Sequence, residues 1–242
     1  MNTDTSSVVA LYKGGRLPAW HALGPEEQDA YSQEHVDLML RIAQRHHLMR
    51  LEGFRLVAPQ RAYERFWTIE FPSVHDARAW IEAEMAPPYG RYGYYEYDLA
   101  TPQRAEELNA WVAHPAAQTP ASVDPRHIPV LATAKDSIVV LRFERWQVDS
   151  IELSAIQRGE GVCEEQMRQV ARQYGLMRLE CHALLGPRDD WHRTWIAEFP
   201  DLEGAEAWID ALVRTPHGRH LQQHFHLARK WAPEYFAAWV AR

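Results

Sequence analysis

The segment LMRLE at residues 48–52 recurs as LMRLE at residues 176–180, an offset of 128 residues (176 − 48). The similarity extends outward from this segment, since residues 48–91 and 176–219 share 20 identities in 44 aligned positions. Repetition at a fixed offset is the mark of a duplicated structural unit. We therefore predict that the chain contains two copies of one domain.

The two copies set the predicted domain boundaries. We place an N-terminal repeat at residues 5–113 and a C-terminal repeat at residues 136–242. Residues 114–135, between them, contain four prolines, at positions 115, 120, 125 and 129. Because proline favours extended conformations, this segment is predicted to be a linker.

Composition excludes several classes of protein. Of the 242 residues, 46% are hydrophobic and 24% are charged, which is typical of globular domains and argues against a wholly disordered chain. The net charge of −7 argues against nucleic acid as a partner, because phosphate backbones attract basic surfaces. Two cysteines are too few for a disulfide framework, no apolar run approaches the length of a membrane span, and residues 1–7 are polar. We therefore expect a cytoplasmic protein without a membrane partner.

Hydrophobic periodicity predicts the same order of elements in each copy. In the first copy, alternating or β-branched apolar residues predict strands at residues 7–13, 48–57, 64–71 and 91–98. One helix is predicted over residues 27–47 and a second from the N-cap Ser73 through Glu84. Thr101 is expected to cap a short closing helix that ends at Ala113. The order β-α-β-β-α-β is that of the ferredoxin-like unit.

This layout resembles the dimeric α+β barrel superfamily, with the dimer fused into one chain. A single ferredoxin-like unit covers one face of its sheet with helices and leaves the other face bare, so two copies can pack their bare faces together. The resemblance implies an α+β fold in which two tandem ferredoxin-like repeats form an intramolecular barrel. It also implies the activities found in that superfamily, which are those of cofactor-free monooxygenases, small-molecule isomerases and lyases, and haem proteins of the chlorite dismutase-like group.

Alternation within the strands places polar side chains on the face that is predicted to line the barrel interior. Three positions on that face are the same in both copies, namely Arg50 and Arg178, Glu52 and Glu180, and Glu70 and Glu198. Buried charges must be paired, hydrated or bound to a metal. We interpret the shared set as an Arg–Glu network that stabilises the fold, and we keep Arg50 and Glu52 as candidate catalytic residues.

Positions at which the copies differ indicate a metal site as an alternative. Phe54, Glu96 and Asp98 of the first copy correspond to histidines in the second. A His-x-His pair on one strand projects to one side with the two residues about 7 Å apart, and imidazole and carboxylate groups bind zinc, iron, manganese or copper. The candidate metal ligands are His182, His224, His226, Glu70, Glu96 and Glu198. Solvated or glutamate-paired histidines would give the same pattern.

The first helix carries a histidine where several branches of the superfamily have one. The pair Glu34-His35 follows Trp20 and the acidic pair Glu26-Glu27. This arrangement resembles the chlorite dismutase-like haem proteins, in which a Glu-His pair on this helix carries the proximal haem ligand. The resemblance implies that His35 binds haem. By its chemistry alone, His35 is equally suited to general acid or base catalysis or to a structural hydrogen bond.

Aromatic residues crowd the last strand of the first copy, at Tyr89, Tyr92, Tyr94, Tyr95 and Tyr97. Such a cluster is typical of a pocket for a flat organic molecule or a porphyrin, and also of a well-packed strand. Tyr94 is the candidate catalytic residue among them.

Several functions remain open at this point. The first is a small-molecule enzyme, an oxidoreductase of the monooxygenase type, with its pocket between the first helix and the sheet. The others are a metal-dependent enzyme with a His/Glu site inside the barrel, a haem-binding chlorite dismutase-like protein, and a non-catalytic binding module. The predicted partner is a small organic molecule, the cofactor is unassigned between a transition metal and haem, and assembly into a homo-oligomer is left open.

Overall fold

The computed structural model describes residues 7–58, 63–112, 136–186 and 190–233. The described residues fall into two compact units. Among the described residues, unit 1 consists of residues 7–58, 63–101 and 230–233. Unit 2 consists of residues 102–112, 136–186 and 190–229. The predicted linker at residues 114–135 lies outside the described residues, and the predicted domain boundaries stay a prediction.

Unit 1 contains a four-stranded antiparallel sheet with two long helices. Its elements are β1 (Val8–Arg16), α1 (Pro18–His21), α2 (Pro25–Arg45), β2 (Arg50–Leu56), β3 (Arg65–Phe71), α3 (Val74–Met85) and β4 (Gly93–Gln103). The strand order is β4-β1-β3-β2, since β1 pairs with both β3 and β4, and β2 pairs with β3. In the register between β2 and β3, Leu51 lies opposite Ile69 and Arg50 opposite Glu70.

The start of α2 shows why the helix forms where it does. Pro25 occupies the first helical turn, where the missing backbone N–H costs nothing. The Glu27 carboxylate accepts a hydrogen bond of 2.9 Å from the backbone N–H of Gly24, and Glu26 and Glu27 complement the helix dipole. The buried face of α2 packs on the sheet together with α3, and the core of unit 1 includes Val36, Met39, Leu40, Ala43, Leu51, Ile69, Phe71, Ala77 and Trp80.

Unit 2 repeats the same order of strands and long helices. Its elements are α4 (Ala105–Asn109), β5 (Ile138–Trp146), α5 (Glu160–Gln173), β6 (Arg178–Leu184), β7 (Arg193–Phe199), α6 (Leu202–Arg214) and β8 (Leu221–Lys230). The strand order is β8-β5-β7-β6, and all of these pairs are antiparallel. The predicted α+β class is therefore confirmed.

Identical residues hold the two cores in the same way. The ring of Phe71 lies 5.8 Å from that of Trp80 in unit 1, and the ring of Phe199 lies 5.6 Å from that of Trp208 in unit 2. Both tryptophans are buried. Each pair fixes the second helix of its unit against the sheet through a large apolar contact.

The predicted cap of the closing helix is wrong. Thr101 lies inside β4, which continues to Gln103, and α4 starts only at Ala105. The chain turns at Arg104, whose φ of 53° places it in the left-handed region. Within the described residues, no helix is both long and apolar enough to cross a membrane.

The N-cap of α6 gives a first testable prediction. The Asp201 carboxylate accepts a hydrogen bond of 2.9 Å from the backbone N–H of Gly204. Replacing Asp201 with alanine leaves this N–H unpaired and is expected to lower the free energy of unfolding by about 0.5–2 kcal/mol in urea titrations. The control is Asp210→Ala, which removes only an exposed pair with Arg214 and is expected to cost about 0.5 kcal/mol or less. Equal effects of the two substitutions would contradict the capping role.

Candidate functional site

Unit 2 encloses a cavity of about 340 Å³. Known small-molecule sites have volumes of about 300–1,000 Å³, so this cavity is large enough to hold a ligand. Four tryptophans form much of its wall, namely Trp111, Trp146, Trp195 and Trp208. We call this space the unit 2 cavity.

The walls of the unit 2 cavity come from the sheet and from the elements that pack on it. Alternation along β5 brings Arg142, Glu144 and Trp146 to one side of that strand. The helix α5 supplies Cys163 and Met167 from its buried face. The short 3₁₀ turn His217–His220 contributes His217 at the rim between α6 and β8.

Arginine side chains line the unit 2 cavity and contact its aromatic walls. The Arg142 guanidinium lies 5.4 Å from the ring of Trp195, and that of Arg158 lies 4.6 Å from the ring of Trp146. Arg142 is 5% exposed and forms an ion pair with Glu144. Burial lowers the pKa of Arg142 to about 10, which still leaves it charged at neutral pH. An anionic group placed beside Arg142 would stabilise this charge.

Cys163 and His217 are the potential metal or iron ligands in the cavity wall. Burial raises the pKa of the Cys163 thiol, so the free side chain is protonated at neutral pH. Burial, assisted by the charge of Arg142, lowers the pKa of His217 to about 4, so its imidazole is neutral and keeps a lone pair. The ring of His217 lies edge-on to that of Trp146 at 5.1 Å.

Several polar atoms in this wall have no hydrogen-bond partner among the described residues. They are Arg142 Nε, His217 Nδ1, Trp111 Nε1 and Trp195 Nε1. An unsatisfied buried polar group costs about 1–3 kcal/mol, and native proteins keep few of them. Three of these atoms, Arg142 Nε, Trp111 Nε1 and Trp195 Nε1, are N–H donors, and their presence around one cavity points to an occupant that supplies acceptor atoms.

The equivalent space in unit 1 is nearly filled. It measures about 50 Å³ and is lined by Met39, Leu51, Trp67 and Trp80, whose counterparts in unit 2 line the larger cavity. Because one water needs about 10–15 Å³ on this measure, the space holds only a few waters. We call it the unit 1 cavity.

His35 lies in the wall of the unit 1 cavity. Its Nε2 lies 2.9 Å from Glu84 Oε2, and its Nδ1 is buried without a hydrogen-bond partner among the described residues. Its ring lies 4.9 Å from that of Tyr89. A carboxylate on one ring nitrogen and a free second nitrogen is the pattern of a histidine that binds a metal or moves a proton. The space beside His35 measures about 50 Å³, and the binding of haem by His35 stays a prediction.

The other predicted catalytic residues lie apart from this pair. Tyr94 is exposed, and its hydroxyl donates a hydrogen bond of 2.8 Å to Glu96. Arg50 donates to Glu70 at 3.0 Å and lies 3.8 Å from the buried carboxylate of Glu52. Neither cavity includes Tyr94, Arg50 or Glu52 in its wall. The Arg–Glu contacts agree with a network role, while the catalytic role stays a prediction.

The predicted metal ligands are distributed over both units. In unit 2 the rings of His224 and His226 lie 4.4 Å apart, and His182 Nε2 lies 3.7 Å from Glu180. The predicted acidic ligands have other partners: Glu198 accepts from Ser137, Glu70 from Ser7 and Arg50, and Glu96 from Lys13 and Tyr94. The structure thus brings His224 and His226 close together, and the metal site that includes the other predicted ligands stays a prediction.

Comparison with known proteins places the fold. No protein-family profile and no curated protein sequence matches the chain. Chlorite dismutase from Candidatus Nitrospira defluvii matches it with a TM-score of 0.70 and 14% identity, over 99% of this chain and 98% of that one. The chain has the fold of chlorite dismutase.

Two ligand complexes of chlorite dismutase from the same organism match as well. The complex with imidazole has a TM-score of 0.66 and 14% identity, over 98% of this chain and 97% of that one. The complex with cyanide has a TM-score of 0.69 and 13% identity, over 98% of this chain and 96% of that one. The predicted resemblance to chlorite dismutase-like proteins is confirmed, and identities this low establish the shared fold alone.

Sequence reasoning missed the residues that line the unit 2 cavity. The signal that was available is the alternation of Arg142, Glu144 and Trp146 along a strand that begins with four apolar residues, which places two charges on its helix-facing side. The isolated His217, in the turn before β8, carried no such signal.

The pKa of His217 gives a second prediction. Because the imidazole has a pKa of about 4 in the folded protein and about 6.5 when unfolded, the unfolded state binds the extra proton between these pH values. Stability should therefore fall as pH drops from 6.5 towards 4, and His217→Gln should reduce this fall. Urea midpoints at pH 7 and pH 5 measure it, with His21→Gln, at an exposed site, as the control. Identical pH dependence in wild type and His217→Gln would contradict the assignment.

Proposed function

We propose that this chain binds haem in the unit 2 cavity and acts as a haem-dependent oxidoreductase. The observation that carries the proposal is the cavity of about 340 Å³ walled by four tryptophans, with a cysteine and a histidine in its wall. Flat aromatic walls suit a porphyrin, and haem iron in proteins is held by His, Cys, Met or Tyr side chains. The corresponding space in unit 1 measures only about 50 Å³.

The residues of the unit 2 cavity fit haem by their chemistry. His217 is neutral at physiological pH and offers a lone pair, and Cys163 would lose its proton on binding a metal. Arg142 and Arg158 pair with Glu144 and Glu160 in the structure, and they would bind the two propionate carboxylates by exchanging or sharing these partners. When bound, haem would supply one-electron and oxygen chemistry.

The protein's own groups would set the conditions around the bound molecule. The buried charge of Arg142 favours anionic groups, and the tryptophan walls give the site a largely apolar lining. A neutral His217 that does not bind iron can accept a proton at a ring nitrogen. These properties suit oxidation of a small organic molecule, of which oxygen insertion by a monooxygenase is one form.

The structural neighbours support the proposal by what they bind. Chlorite dismutase has been solved with imidazole and with cyanide, and both are ligands that iron accepts. The tandem ferredoxin-like arrangement, with an intramolecular barrel built from residues 5–113 and 136–242, belongs to the same proposal.

Absorption titration of the tag-free protein with haemin tests the proposal. We expect the Soret band to shift from its position in free haemin. Either Cys163→Ser or His217→Ala removes the iron ligand, and that variant should change the position of the Soret band and weaken haemin binding at least tenfold. His35→Ala is the matched control in unit 1 and should leave both unchanged. No shift for the wild-type protein, or loss of the shift in His35→Ala alone, would contradict the proposal.

A second candidate is acid–base catalysis at His35 without a cofactor. It is favoured by the 2.9 Å contact between His35 Nε2 and Glu84 and by the buried, unpartnered Nδ1. Binding a substrate there requires the unit 1 cavity to open. Loss of turnover in both His35→Ala and Glu84→Gln, with haem binding intact, would favour this second candidate.

A further inference from the structure

A cluster of three potential metal ligands lies on the surface of unit 1 and does not line its cavity. Among the described residues, His46, His75 and Asp76 are the group of at least three such side chains whose donor atoms all lie within 4.8 Å of one another. None of the three lines the unit 1 cavity or belongs to the predicted metal set. We call this group the α2–α3 cluster.

The backbone holds the members of the cluster in place from two helices. His46 is the C-cap of α2, where its backbone N–H donates to Ile42 O at 2.9 Å. His75 and Asp76 lie in the first turn of α3, just after the N-cap Ser73. The His46 Nδ1 lies 2.9 Å from Asp76 Oδ1, and the rings of His46 and His75 are 5.9 Å apart.

The Asp76 carboxylate is prepared for a cation. Its Oδ2 accepts from the Ser73 hydroxyl at 2.5 Å, which orients the group and leaves Oδ1 toward His46. Burial acts to raise the pKa of Asp76, but the hydrogen bonds from Ser73 and His46 and the nearby histidines hold it below its usual value. Outer hydrogen bonds of this kind are what orient carboxylates and histidines in metal sites.

We propose that the α2–α3 cluster binds one divalent transition-metal ion, of which Zn²⁺ is the natural probe. Two imidazoles and a carboxylate are a donor set that Zn²⁺ binds, with a fourth position left for water. Ligands of one tetrahedral Zn²⁺ lie about 3.3 Å apart, so the 2.9 Å between His46 Nδ1 and Asp76 Oδ1 is close to the spacing of two ligands, and the exposed His75, whose donor atom lies within 4.8 Å of theirs, has to approach by at most about 1.5 Å. The partly exposed position gives the ion a path of entry.

The second repeat lacks this site, which makes it specific to unit 1. The positions 128 residues further on are Tyr174, Glu203 and Gly204, and these cannot form the same donor set. We therefore expect one ion per chain. Because the ion would join the end of α2 to the start of α3, it should also stabilise unit 1 against unfolding.

Isothermal titration of the metal-free, tag-free protein with Zn²⁺ tests the proposal. We expect one ion per chain and a rise in Tm on addition of Zn²⁺, with His75→Ala and Asp76→Asn each weakening binding at least tenfold. His21→Ala, which removes another exposed histidine of unit 1, is the control and should change neither the affinity nor the Tm shift. His75 is exposed, so its variant should fold even if Asp76→Asn weakens α3.

Other outcomes would overturn the proposal. If the wild type, His75→Ala and His21→Ala bind Zn²⁺ with equal affinity, the contact between His46 and Asp76 serves only to hold α2 against α3. Loss of Zn²⁺ binding in His224→Ala, with Zn²⁺ binding unchanged in His75→Ala, would show that the ion binds at the His-x-His pair of β8. Neither result depends on haem binding, so the test of the zinc site is independent of the proposed haem function.

Discussion

Replacing Arg178 with alanine is expected to lower the free energy of unfolding by about 3–5 kcal/mol. The Arg178 side chain is fully buried, its Nε donates to Glu180 Oε1 at 2.8 Å, and it lies opposite the buried Glu198 in the pairing of β6 with β7. Removing the guanidinium leaves the Glu180 carboxylate, which is 16% exposed, without its cation, and it leaves the buried Glu198 without the positive charge opposite it. Urea unfolding followed by circular dichroism measures the change.

Two further variants make the Arg178 prediction specific. Arg214→Ala, in an exposed pair with Asp210, should cost about 0.5 kcal/mol or less. Arg50→Ala, at the equivalent position of unit 1, should cost less than Arg178→Ala, because the Arg50 side chain is 11% exposed. A loss below about 1 kcal/mol for Arg178→Ala would place that guanidinium in contact with water, against the burial described above.

Placing a tryptophan at position 167 should abolish ligand binding in unit 2 with little loss of stability. Met167 lies in the wall of the cavity of about 340 Å³, which has room for the larger ring. The indole would then occupy space that the ligand needs. We expect haemin affinity to fall by more than a hundredfold while the urea midpoint of the protein stays close to that of the wild type.

The equivalent substitution in unit 1 should have the opposite profile. Met39 occupies the matching position on α2, but the cavity beside it measures only about 50 Å³. Met39→Trp should therefore overpack the core and lower the free energy of unfolding by about 1–3 kcal/mol, without a direct effect on haemin affinity. Equal destabilisation by both substitutions would show that the two cavities do not differ as described.

Much of the fold was predictable from the sequence because the determining residues are local. The LMRLE repeat, the alternation in β2 and β3 and the N-cap Ser73 each mark an element by residue type and spacing. The end of β4 was not predictable in this way. Arg104 adopts a positive φ without being glycine or asparagine, and Thr101 looks like a cap although it extends a strand.

The site was harder to predict because its size depends on packing between elements. The two cavities occupy equivalent places, and what separates them is the side chains that fill them. Unit 1 has His35 and Glu84 where unit 2 has Cys163 and Leu212, and the tyrosines of β1 and β4 further fill unit 1. The sequence shows these exchanges, but the resulting volumes follow only from the positions of helices and sheet.

The comparison of the two repeats also bears on where function lies. The copies differ at the cavity position that is His35 in unit 1 and Cys163 in unit 2. The cavity that contains Cys163 is the larger of the two cavities. We therefore place the proposed site in unit 2 and treat the His35–Glu84 pair as a separate feature of unit 1.

Haemin stoichiometry tests the central claim most directly. The tag-free wild-type protein is titrated with haemin, the Soret band is followed to saturation, and the bound iron is measured after gel filtration. We predict one haem per chain, which is retained on the column by the wild type and lost in the cavity-filling variant Met167→Trp. No retained haem, two haems per chain, or one haem retained equally by Met167→Trp would contradict it.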